Sequence, residues 1–292
     1  MSHSAKLVLL AVSAAFFTAC SSHMNPVQPP VPLEPPAATT EEQPKNGQIV
    51  PNAEVETPEE APNPAATAGP KIYINDNAGR VWTVTLGTNA LHLVGYEETL
   101  LTDMAFDPKN HVLYGIDFNS LYRVSTSTGL ATWIGYHGVP GGNALVFDSN
   151  GKGYIAGYEN ARLYAITNLA TGRATSIGAT GSYKSAGDLT FYNGSLMMSG
   201  FTGGSLSTAA DSLVTISRTT GAVQHVVPTS LRILYGLASP ATNQLYGFAN
   251  SSLYHLNPTA SLIQNRAVLI KNFSSFGIGQ IYGAAYNGNF QL

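Results

Sequence analysis

SLYRVSTSTGLATWIG, residues Ser120–Gly135, is the stretch on which the fold turns. An apolar-aromatic run, Leu121-Tyr122-Arg123-Val124, leads into a polar turn closed by Thr128-Gly129, and a second run follows through Trp133. Four further copies exist: Arg80–Gly95, Arg162–Gly178, Ser212–Val227 and Ser252–Leu269. Thr171-Gly172 and Thr220-Gly221 close two of their turns in the same way. Each copy reads as two strands joined by a hairpin, and recurrence of such a unit marks a repeat protein.

A second pair of strands precedes each of the last four copies. These are Leu101–Phe118, Asn143–Asn160, Ala186–Gly203 and Ile233–Asn250. Turn signals divide them, such as Asp148-Ser149-Asn150-Gly151 and Tyr192-Asn193-Gly194, where Asn and Gly accept positive φ. A full unit therefore has four antiparallel strands, a to d. Val81, Leu121, Leu163, Leu213 and Leu253 mark its repeat at intervals of 40, 42, 50 and 40 residues. Four-stranded propeller blades recur about every 40–45 residues.

The ends of the repeat region carry the same reading further. Lys71–Asn77 begins at strand b, with no strand a before it, and Ile281–Gly288 is a strand a without followers. Together they complete one blade. The expected fold is all-β: a five-bladed β-propeller of twenty strands, closed by pairing the C-terminal strand with the N-terminal blade. A sandwich or a solenoid would not split its ends in this way. Strands with a blade on either side should be apolar on both faces, as Leu121-Tyr122, Leu163-Tyr164 and Leu253-Tyr254 are. From Lys71 onward the chain resembles secreted bacterial propeller repeats of the form LYGIxxxxLYxVxxxTGxATxIG. That resemblance speaks to architecture, because propellers host unrelated activities.

Composition fits this architecture. Only 11% of the 292 residues are charged, against roughly 25% in an average soluble domain. Residues 21–70 hold seven acids and one base, whereas residues 71–292 hold ten acids and twelve bases. The repeat region is thus near neutral and has no basic cluster, which argues against a nucleic-acid partner.

Residues 1–70 are a different kind of chain. Lys6 precedes a short apolar run, and Phe17-Thr18-Ala19-Cys20 resembles a bacterial lipobox, with Phe17 where Leu is usual. The resemblance implies a lipoprotein signal peptide over residues 1–19, acylation of Cys20, and an outer-membrane lipid anchor with the domain on the periplasmic face or the cell surface. Cys20 is the only cysteine, so residues 71–292 can contain no disulfide or thiol site. Twelve of the seventeen prolines lie between Pro26 and Pro70, among Glu, Ala and Thr and without aromatics. Residues 20–70 should therefore be the lipidated Cys followed by a disordered, extended tether, and residues 71–292 the propeller domain.

Candidates for chemistry are few. Asp103 and Asp188 align, three residues before Phe106 and Phe191, while the other units read Ala144, Tyr235 and Tyr282 there. Hydrolytic five-bladed propellers carry carboxylates around the central channel, which makes this pair the weak catalytic candidate. Asp107 and Asp148 begin turns and should be structural. The histidines His92, His111, His137, His225 and His255 share no ligand-like spacing, so no metal is expected, and blade packing is the expected role of His92 and His225. No phosphate loop or Gly-x-Ser-x-Gly elbow appears, so no cofactor is expected. Tyr136, Tyr158, Tyr235 and Tyr282 are candidate binding residues, since Tyr can stack on a sugar or anchor a protein interface. The expected function is a membrane-anchored, non-catalytic interaction module that binds another envelope or surface protein. The alternative is a glycan-binding or glycoside-hydrolysing propeller.

Overall fold

The computed structural model describes residues 69–203 and 209–288. The expectations for the signal peptide, Cys20 and nearly all of the tether lie outside the described residues, as does the centre of the Phe201–Asp211 loop. Of two units in the chain, Met1–Glu59 and Glu60–Leu292, only the second is described here.

Twenty strands form five four-stranded sheets. Blade I comprises β20 (Ile281–Tyr286), β1 (Lys71–Asp76), β2 (Arg80–Thr85) and β3 (Ala90–Tyr96). Blade II is β4 (Asp103–Asp107), β5 (Val112–Ile116), β6 (Ser120–Val124) and β7 (Ala131–Tyr136). Blade III is β8 (Gly142–Phe147), β9 (Gly153–Gly157), β10 (Arg162–Asn168) and β11 (Arg173–Ala179). Blade IV is β12 (Lys184–Tyr192), β13 (Ser195–Phe201), β14 (Ser212–Ile216) and β15 (Val223–Pro228). Blade V is β16 (Leu234–Ala241), β17 (Gln244–Ala249), β18 (Ser252–Leu256) and β19 (Ala267–Asn272). The fold is a five-bladed β-propeller. Its ring closes through antiparallel pairing of β1 with β20, from Ile72↔Tyr286 to Asp76↔Ile281.

Burial falls from the axis outward. The innermost strands β4 and β8 are buried throughout, because each innermost strand packs against its two neighbours around the ring. The outermost strands have no fifth strand beyond them, and β19 leaves five of its six residues exposed. Val81, Leu121, Leu163, Leu213 and Leu253, one per blade, are fully buried. Leu121 and Ile116 of blade II share a cluster with Leu145, Phe147 and Ile155 of blade III, so the core lies in the seams between blades. Trp133, in the second run of the repeat, is not a core residue. It lies on β7 and is 54% exposed. His92 and His225 are likewise exposed on β3 and β15, so they do not pack the blades as expected.

The repeated Thr-Gly and Ile-Gly elements turn out to be one device. Gly129, Gly172 and Gly221 hold φ of +76°, +74° and +77°, the left-handed conformation that glycine tolerates best. Each of these turns abuts the outer strand of the preceding blade. A Cβ added to Gly95, Gly135 or Gly178 would overlap the carbonyl oxygen of Thr128, Thr171 or Thr220 respectively. The two glycines of the motif thus face each other across a seam. Gly178→Ala should cost about 2–3 kcal/mol through overpacking. Gly87→Ala, at φ +89° with nothing near its Cβ, should cost only about 1 kcal/mol of backbone strain. Equal losses in urea denaturation would refute the latch.

Candidate functional site

The β-ladders define which inner-strand positions are equivalent. Asp103 pairs with Ile116, Ala144 with Ala156, Gly236 with Phe248 and Gly283 with Asn75. Asp188 lies opposite Ser199, whose hydroxyl accepts from its N–H at 3.0 Å. One layer of the channel therefore consists of Asp103, Ala144, Asp188, Gly236 and Gly283. Tyr235 and Tyr282 stand one residue earlier, on the layer above, which differs by one residue from the register drawn from sequence. The offset has a physical reason. Gly283 is needed at the carboxyl layer, since a Cβ there would overlap Asp103 Oδ1.

Asp103 and Asp188, from blades II and IV, meet in this layer and are both fully buried. Asp103 Oδ2 accepts from the Leu145 N–H at 2.6 Å and Oδ1 from the Met104 N–H at 2.7 Å. Asp188 Oδ2 accepts from the Leu237 N–H. Each carboxyl thus binds the inner strand of the next blade. Burial raises both pKa values well above the ordinary carboxylate range, and at Asp103 the charge of Asp188 adds to this. The two carboxyls are close enough to interact, so ionisation of one disfavours ionisation of the other, and Asp188 Oδ1 is buried without a hydrogen-bond partner in the protein. Below them, between Phe106, Val146, Thr190, Ala238 and Ala285, the channel narrows to about 20 Å³, room for a single water. The pair is a plug in the axis of the ring. Asp107 and Asp148 do cap turns, accepting from the N–H groups of Lys109 and Asn110 and of Asn150 and Lys152.

Above the plug the channel opens into a mouth of about 260 Å³. Its wall is a ring of equivalent residues, one per blade: Thr102, Asn143, Gly187, Tyr235 and Tyr282. Gly187 permits the closeness of this ring, because a Cβ there would lie 2.6 Å from Tyr235 Cα. The Tyr235 and Tyr282 rings lie 6.2 Å apart at 43°. Phe118, Leu100 and Gln280 extend the wall toward solvent. Tyr158 makes an edge contact to Phe118 at 5.4 Å, and Tyr136 stands outside the mouth against Trp133 at 5.6 Å. Asn143 Oδ1 and Gln280 Nε2 are buried without a partner in the protein, each at a cost of about 1–3 kcal/mol if left unmet.

Sequence reading missed Phe118, Asn143, Gln280 and Asp211. Asn143 could have been found by aligning the units on strand b, which fixes the mouth position as the residue before Asp103. Asp211 is fully buried, and its Oδ2 accepts from the Leu234 N–H at 2.8 Å. It fixes the turn that delivers Tyr235 to the mouth, where Ile233 holds φ +52°, a strained value for a β-branched residue. Burial pushes the Asp211 carboxyl up to about 7 and that of Glu97, which accepts from the Leu101 N–H, up to about 8. His137 is buried and accepts from the Val139 N–H at 3.0 Å, and burial lowers its pKa. Among the described residues no group of three or more His, Cys, Asp or Glu side chains is placed to hold a metal.

These raised carboxyls make stability depend on pH in a defined direction. A carboxyl whose folded pKa lies above its unfolded value contributes fully below the unfolded value, and the contribution is lost as pH rises through the folded one. The windows run from 3.8 to about 7 for Asp211 and from 4.5 to about 8 for Glu97. The melting temperature should therefore fall between about pH 4 and about pH 8. Asp211→Asn and Glu97→Gln, which keep an acceptor oxygen, should each flatten part of that fall. A melting temperature that rises over this range in scanning calorimetry would contradict the assignment.

Comparison with known proteins places this geometry in context. No curated protein matches the chain. Among solved structures, a chain of a nidogen/laminin complex is similar at a TM-score of 0.52 and 13% identity, over 76% of this chain and 99% of that one. A symmetrical protein from work on "de novo evolutionary emergence" reaches 0.45 at 18% identity, over 73% and 93% of the two chains. A protein of unknown function from Bacteroides caccae reaches 0.43 at 11% identity, over 68% and 73%. These likenesses concern the fold. A family profile for a repeat of unknown function matches residues 84–261, more than half of the chain and most of the ring, and the chain therefore belongs to that repeat family, DUF6923.

Proposed function

We propose that this protein is a non-catalytic interaction module of a bacterial cell envelope, held at the outer membrane by acyl chains on Cys20 and carried on the tether of residues 20–70. The observation that carries the non-catalytic part is the state of the channel carboxyls. Glycoside hydrolysis needs two accessible carboxyls separated by roughly 5–5.5 Å for retention or roughly 6.5–9.5 Å for inversion. Asp103 and Asp188 are fully buried and bonded to backbone N–H groups of the next blade. Neither carboxyl is accessible to a glycosidic bond.

What remains accessible is aromatic and apolar. Antiparallel connection sends every b–c turn and d–a loop to the mouth side of the ring, and Leu100 and Phe118 there are 49% and 47% exposed. Such groups on a rigid scaffold suit recognition of another envelope component. The tether offers reach, and more than one acyl chain on Cys20 offers durable anchoring.

Fractionation tests the anchor: wild type should sediment with membranes and Cys20→Ala should appear in the soluble fraction. Crosslinking in intact envelopes tests the module, with a partner captured by wild type and lost in Phe118→Ser. Capture of no partner would overturn this reading, and turnover of a defined glycan would replace it with hydrolysis.

A further inference from the structure

The mouth specifies the chemistry of what enters it. No charged side chain lines it, so an ionic ligand would lose its hydration without gaining a counter-charge. Its volume of about 260 Å³ falls below the roughly 300–1,000 Å³ of pockets for drug-sized ligands. That suits one ring better than an extended peptide. The Tyr235 and Tyr282 rings supply apolar faces on one side of the mouth and Phe118 adds another.

The polar complement is equally specific. Asn143 is 5% exposed, and its amide is oriented by Nδ2, which donates to the carbonyls of Ser185 and Ala186 at 3.4 and 3.1 Å. This fixes Oδ1 as a free acceptor. Gln280 is held by its backbone, whose N–H donates to Asn77 Oδ1 at 3.1 Å and whose carbonyl accepts from the Asn77 N–H at 2.9 Å. Its Nε2 is a free, buried donor. A matching ligand must donate at one edge, accept at another, carry no charge and offer C–H faces to aromatic rings. Hydroxyl groups on a saturated ring meet all four conditions.

We infer that the mouth binds a neutral sugar ring, presented as the terminal residue of a glycan. The inference rests on reading the propeller as a binding module, and it names that module's ligand class. Asn143 and Gln280, whose unpartnered atoms are closed off from solvent, would hydrogen-bond ring hydroxyls after a small side-chain movement, and Tyr282 would cover the apolar face of the ring.

The test uses the full chain in detergent, titrated with glucose, galactose, mannose and N-acetylglucosamine, with glucuronate and N-acetylneuraminate as charged comparators. Saturation-transfer NMR and calorimetry report binding. At least one neutral sugar should bind, with Tyr282→Ala and Gln280→Ala each weakening it about tenfold or more while the melting temperature stays near that of wild type. Tyr282→Phe should retain most of the affinity. Failure of every neutral sugar, preference for the charged ones, or binding indifferent to both variants would overturn the inference. If the sugars fail while envelope crosslinking still captures a Phe118-dependent protein partner, the ligand class falls and the module stands. If crosslinking fails as well, both fall.

Discussion

The pairing of β20 with β1 is the constraint from which the rest of the molecule follows. Ile281–Tyr286 comes from the far end of the described chain, yet it supplies the innermost strand of the first blade. Without it, β1 would present an unpaired inner edge and the five sheets would have no reason to form a ring. With it, five inner strands converge on one axis, and each is buried by its neighbours on both sides. Closure also determines what the axis can hold. Five strands leave little space, so side chains from different blades come into contact at the centre and small residues are required opposite large ones.

Asp103 and Asp188 illustrate this requirement. Two carboxyls on a channel-facing strand would suggest hydrolysis if the channel were wide. Here Ala144, Gly236 and Gly283 occupy the other positions of the layer, and the carboxyls fill the room these small residues leave, accepting backbone N–H groups from the next blade. Desolvation disfavours their charge, and their mutual repulsion adds to it at Asp103. Their role is to join blades II, III, IV and V across the axis. The layer above carries the variation: Thr102, Asn143, Gly187, Tyr235 and Tyr282 differ in size and polarity although they are geometrically equivalent. The carboxyl layer and the wall of the mouth are thus separated by a single residue step along each inner strand.

Much of this was legible in the chain itself. The fivefold recurrence, the four strands per unit and the split terminal blade are statements about local periodicity, and the turn residues that impose them act over a few positions. Gly129, Gly172 and Gly221 sit where a left-handed turn needs them, and the tetrapeptide turns at Asp107 and Asp148 are stabilised by their own side chains. The burial of Leu121 and its equivalents follows from the same logic. The exposure of Trp133 was not legible, because a two-strand motif does not say which of its strands is outermost, and β7 is the outer strand of its blade.

The sequence by itself thus determined the repeat, the strand count and the near-neutral, charge-poor character of the ring. Only the tertiary structure decided that Asp103 and Asp188 meet, that Tyr235 and Tyr282 stand one residue above them, and that the glycines of the Thr-Gly and Ile-Gly elements face one another between blades. The physical reason is range. Turns and strand alternation are set by residues adjacent in the chain, whereas contacts at the axis and in the seams join blades that only ring closure brings together, and no pattern within one repeat encodes its neighbour's position.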